Sequence, residues 1–137
     1  MRRVLVLLLF VLLSCGKDEV KVTPEESKIT ASAIDVVEKI RQLYQSRDKA
    51  GLKTLTTPEA YLGHFSATKD FDTASLKFKP QWVDVKDSTI HVNVVWTGVW
   101  KKGGGITNEK GICTFVLLRQ PVKLTQILRE SPFIYPD

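Results

Sequence analysis

An α+β fold, in which a helical first half packs against an antiparallel sheet formed by the second half, is what this sequence predicts. Three observations carry it. Apolar residues recur at helical spacing from Ile29 to Tyr44, and two further helix-start signals follow at Asp48 and Thr57. After Asp72 the period shortens to two, in segments rich in valine, isoleucine, threonine and aromatic residues. The expected architecture is a long N-terminal helix and two short helices on an antiparallel sheet of four to five strands.

The long helix starts at Thr23, whose hydroxyl can cap the first turn, with Pro24 at the first helical position and Glu26 three residues beyond the cap. Ile29, Ala33, Val36, Val37, Ile40, Leu43 and Tyr44 lie along one stripe, and Lys28, Glu38, Lys39, Arg41 and Gln42 lie mostly away from it. "SRDKAGLKTL" and "TTPEAYLGHF" then read as two short helices, the second expected to close at Gly63. Four strands are expected at "QWVDV", "TIHVNVVWTGVW", "GICTFVLLR" and "VKLTQIL", with an extra short one at "SLKFK". Turn formers bound them at 86–88, 102–105 and 120–121, and short connections favour an antiparallel meander. In the longest strand Ile90, Val92, Val94, Trp96 and Trp100 share the face that the amphipathic helix must cover. The opposite face, His91, Asn93, Val95, Thr97 and Val99, is mixed rather than polar. Whether Cys113 or Thr114 points inward depends on a hairpin register that spacing leaves open.

The ends of the chain carry the address. Arg2 and Arg3 precede an apolar run from Val4 to Leu13 and a small residue, Ser14, before Cys15, which is the order of an export signal. Such a run rises about 15 Å as a helix, half of the roughly 30 Å hydrocarbon core, so it is a segment to be cleaved and not a spanning helix. Leu12, Leu13, Ser14 and Cys15 resemble the lipobox of bacterial lipoproteins. That resemblance implies a diacylglyceryl group on the Cys15 sulfur, cleavage before it, and a stable membrane anchor in the cell envelope, since two or more acyl chains hold where one does not. It also implies outer-membrane sorting on the periplasmic side, because Gly16 stands where an inner-membrane retention aspartate is found in some bacteria. Residues 1–15 are then the signal peptide, 16–23 a charged tether reaching at most about 28 Å, and 24–137 one α+β domain.

With Cys15 lipidated, Cys113 is left as an odd thiol with nothing basic beside it, expected to be a buried small hydrophobe; no disulfide framework is expected. The net charge is +5 over 137 residues, with the lysines scattered, which together with export argues against a nucleic-acid partner. Two histidines and dispersed acids offer no metal-ligand spacing, and no cofactor is expected. Gly103–Gly105 precede a strand and form no phosphate loop; the tip around them reads as an exposed hairpin.

The order of elements over residues 24–134, closing in "KLTQILRESPF", is similar to the nuclear transport factor two-like, cystatin-like cone, in which a bent sheet wraps the first helix. That resemblance implies a pocket at the open end of the cone, with relatives that are isomerases, dehydratases, ligand binders or dimers formed through the outer sheet face. The residues placed to line such a pocket are Tyr44, Tyr61, His64, Trp96 and Trp100. Trp82, Trp96 and Trp100 would either floor a ligand site or fill the space under the helix. For an isomerase- or dehydratase-type enzyme the base would be His64 or an aspartate, Asp35, Asp72 or Asp84. No paired acid–base motif supports it, so no residue is assigned as catalytic. The expected function is binding of an apolar small ligand or a protein partner at the membrane surface, with Val95 and Val99 motivating a homodimer through the sheet.

Overall fold

A computed structural model describes residues 23–136. Three helices, α1 (Pro24–Gln45), α2 (Lys49–Leu55) and α3 (Pro58–His64), precede four strands, β1 (Thr73–Val85), β2 (Thr89–Lys102), β3 (Gly105–Arg119) and β4 (Val122–Arg129), and a 3-10 turn at Pro132–Ile134. The sheet is an antiparallel meander in the order β1-β2-β3-β4, so the α+β class and the helix-on-sheet arrangement are as expected. The proposed signal peptide, Cys15 and most of the tether lie outside the described residues.

The expected cap starts α1: the Glu26 amide donates to the Thr23 hydroxyl at 3.2 Å, an interaction of about 1 kcal/mol in typical helices. Its stripe is buried at Ala33, Val37, Ile40, Leu43 and Tyr44, with Ile29 and Val36 packed on the core edge. The helix ends in a Schellman-type turn, the Asp48 amide donating to the Leu43 carbonyl at 2.9 Å while Arg47 takes a φ of 56°. Asp48 and Thr57 cap α2 and α3 as anticipated. One expectation fails here. Gly63 lies inside α3, which continues to His64 and caps on Phe65, because Phe65 is needed in the core and the helix runs on to deliver it.

"SLKFK" and "QWVDV" form a single strand rather than two. Pro80 pairs with Val94 and Trp82 with Asn93, leaving Gln81 as an extra residue in a β-bulge. Pro80 has no amide to give a ladder and is tolerated here because β1 is an edge strand and the bulge follows. The β2–β3 hairpin turns on Gly103 and Gly104, both at positive φ (56° and 83°), a conformation that glycine adopts freely. The Gly103 amide also donates to Asp72 Oδ2 at 2.9 Å. Gly98, on the inner face of β2, leaves room for Trp100 and Leu76, whose side chains a Cβ there would overlap. The α2–α3 link joins the sheet through a parallel bridge, Thr56 to Leu124.

Candidate functional site

The inner face of β2 is closed throughout: Ile90, Val92 and Val94 are at 0% exposure, Trp96 at 1% and Trp100 at 0%. The chain's own C-terminal segment fills the space beneath. Phe133, 1% exposed, stacks within 4.8 Å of both the Tyr44 and Phe65 ring centres, and Tyr135 lies 5.2 Å from Trp100. Polar atoms in this cluster are paired. The Trp100 indole donates to the Tyr44 hydroxyl at 3.0 Å, which donates to the Tyr135 carbonyl at 3.0 Å, and the Trp96 indole donates to the Glu130 carbonyl at 2.9 Å. Burial pushes the Tyr44 phenol up to about 12, the hydrogen bond from Trp100 opposing it, so the hydroxyl stays protonated and keeps its donor role.

The five residues expected around one pocket therefore divide among three places. Tyr44, Trp96 and Trp100 meet in this packed interior. Tyr61 lines a separate groove of about 430 Å³ with Lys53, Pro58, Leu62 and Lys123, where the Lys53 ammonium sits 5.1 Å from its ring centre. His64 lies in another, of about 210 Å³, beside Lys69, Phe133 and Ile134. Burial lowers its pKa. The remaining acid–base candidates are dispersed. Asp35 is exposed on α1, Asp72 holds the Gly103 turn, and Asp84 is exposed and 3.2 Å from Lys86. Among the described residues no group of three or more His, Cys, Asp or Glu side chains is placed to hold a metal. No helix among them is long and apolar enough to cross a membrane.

The outer face of the sheet contains a groove of about 450 Å³. Trp82, Ile112 and Leu128 form its apolar walls; His91, Asn93, Thr114 and Arg129 supply polar groups. Trp82 is 50% exposed and Ile112 43%, whereas Asn93 and Thr114 between them are only 8% and 6% exposed. Their polarity is met internally: Asn93 Nδ2 donates to Thr114 Oγ1 at 3.1 Å. The bulge at Gln81 decides where Trp82 points. The register before it, Phe78 to Trp96 and Pro80 to Val94, would carry Trp82 to Val92 on the inner face; the extra residue moves it to Asn93 and turns the indole outward. At the other side of the groove Arg129 ends β4 with a φ of 71°. The register that spacing left open is settled too. Cys113 opposes Val94 and is fully buried, its thiol pushed up to about 12 by burial and then by the Glu130 carboxylate, while Thr114 faces the groove.

Sequence reasoning did not single out this groove. The available signal was Pro80 inside a strand-like run, which marks an edge or a bulge and so warns that alternation breaks there.

No family model matches the chain, and no curated protein does. Among solved structures it is similar to a nuclear transport factor 2 (NTF2-like) superfamily protein from Salmonella enterica subsp. enterica serovar Typhimurium str. LT2, with a TM-score of 0.66 at 15% identity, over 77% of this chain and 92% of that one. The fold is thus the NTF2-like α+β cone. That plan serves ligand-binding proteins and enzymes alike, so activity has to be argued from this chain's own surfaces.

Proposed function

We propose that this chain is a lipid-anchored protein of the bacterial cell envelope that works by binding rather than by catalysis, and that it binds through the outer face of its sheet. The observation that carries the reading is the occupied cone. The space where an NTF2-like pocket would open is filled by Phe133 and sealed by the hydrogen-bonded series Trp100, Tyr44 and Tyr135. A substrate entering there would displace a buried aromatic side chain worth about 1.5–3 kcal/mol of burial. The outer face, by contrast, offers a mixed groove with a half-exposed tryptophan, the composition of a recognition surface. Leu12 to Cys15 support the anchor, and an anchor there would hold the domain close to the bilayer, with the outer membrane favoured.

Intact mass of the protein recovered from membranes of a lipoprotein-processing host tests the anchor. The wild type is expected to begin at Cys15 with added acyl mass, and Cys15→Ser to carry none; unlipidated wild type released as soluble protein would sink it. A second copy of the chain is the other occupant this face suits. Lys77 and Asp84 lie on it, along β1 on either side of Trp82, so a two-fold axis running across the strands would bring opposite charges together. A strictly monomeric state in light scattering at high concentration would exclude that arrangement.

A further inference from the structure

Two features of the outer groove are costly for the fold and useless to the core. The Gln81 bulge interrupts a ladder to turn a large apolar side chain, Trp82, out of the interior and leave it half exposed. Arg129 holds a left-handed backbone conformation that glycine would adopt without strain. The comparison with Arg47, also left-handed, is informative. Arg47 closes a helix and its side chain is used, over the Phe71 ring at 4.8 Å and donating to the Asp72 carbonyl at 2.6 Å. Among the described residues the Arg129 guanidinium and the His91 imidazole have no hydrogen-bond or ion-pair partner, and both residues belong to the lining of the groove that Trp82 walls.

We infer that the outer-face groove binds a saccharide bearing a carboxylate, its pyranose ring against the Trp82 indole and its carboxylate on the Arg129 guanidinium. The inference rests on the reading of this face as the recognition surface and names its ligand. A pyranose presents a flat array of C–H groups that matches an exposed indole, while its hydroxyls need donors and acceptors close to the same plane. His91 supplies these together with the two groups that the Asn93 Nδ2 to Thr114 Oγ1 bond leaves over, the Asn93 Oδ1 acceptor and the Thr114 hydroxyl proton, on adjacent strands held by the β2–β3 ladder. Arg129 adds the fork that donates two parallel hydrogen bonds to a carboxylate. The acids nearby are engaged elsewhere: Glu130 Oε2 accepts from the Ile112 amide at 3.3 Å, and Asp84 pairs with Lys86. At about 450 Å³ the groove lies within the usual range of ligand sites.

Trp82 also furnishes the readout, since Trp96 and Trp100 are buried and only Trp82 meets a ligand at the surface. Intrinsic fluorescence of the complete anchored protein in detergent would be titrated with tetragalacturonate, with its fully methyl-esterified form, and with acetate. Expected are saturable quenching by the acid form, binding at least about tenfold weaker for the ester, and no response to acetate. Arg129→Gly is expected to abolish the preference for the acid form while raising the thermal midpoint by about 3 °C, because it removes the guanidinium and the backbone strain together. Trp82→Phe, which removes the fluorescent reporter and is followed by titration calorimetry instead, should weaken both saccharides equally. Equal binding of acid and ester, quenching by acetate alone, or no quenching by any saccharide would each overturn the inference. So would preferential capture of a polyglutamate peptide. Light scattering on the same sample separates that failure from failure of the broader reading: a dimer that shields Trp82 from acrylamide leaves the outer face as an interface, with a second copy in place of the sugar.

Discussion

The two faces of β2 are built from one strand and finished in opposite ways. Inward, from Ile90 to Trp100, each alternate residue is sealed under α1 and the returning C-terminal segment, and the two indole N–H groups have partners. Outward, buried Asn93 stands beside half-covered Val95 and exposed Thr97, and the largest side chain on that face, Trp82 of β1, is left in contact with water. Inner-face side chains are held by contacts the chain makes with itself, so their removal costs stability. The exposed outer-face side chains, Trp82 above all, are displayed, and their removal should cost only recognition.

The sharpest way to break that contrast is to truncate one large side chain on each side. Phe133→Ala is expected to destabilise the fold by about 3–5 kcal/mol through the cavity it leaves among Tyr44, Phe65 and Phe115. Trp82→Ala should stay within about 0.5 kcal/mol of wild type in chemical denaturation. If the two losses were equal, Trp82 would be part of the core and the outer face would not be a display surface. A finer test removes one atom from the inner cluster. Tyr44→Phe strands the Trp100 donor and the Tyr135 acceptor, an expected loss of about 1–3 kcal/mol, whereas a hydroxyl that merely faced a solvated pocket would cost almost nothing.

The smallest effect is expected at the rim, where His64 sits between the regimes. Burial lowers its pKa in the folded chain below the 6.5 of the free side chain. The native histidine then stays neutral while the unfolded one takes up a proton, so its contribution is complete above about pH 6.5 and is lost as pH falls below that value. Denaturant midpoints measured at about pH 7.5 and 5.5 should show this acid-side loss. His64→Gln should diminish it; an unchanged pH slope would place His64 in free solvent.

Much of the scaffold was legible because it is written in local periods and caps. Thr23, Asp48 and Thr57 announce the helix starts, the Ile29-to-Tyr44 stripe announces the buried face, and alternation in β2 sorts its inner residues correctly. The candidate site was not legible in the same way. Tyr61 and His64 stand near Tyr44 in any drawing of an open cone, but the interior is occupied by residues some ninety positions further along. No periodic pattern encodes that return.

By itself, then, the sequence determined the order of the elements, the helix starts and the helix-facing side of β2, all of which depend on residues within a few positions of one another. Only the tertiary structure decided that Phe133 plugs the cone, that Cys113 faces inward, and that Trp82 faces outward. The first is a contact between distant parts of the chain. The other two are matters of strand register, in which a single extra residue such as Gln81 exchanges the faces of everything beyond it.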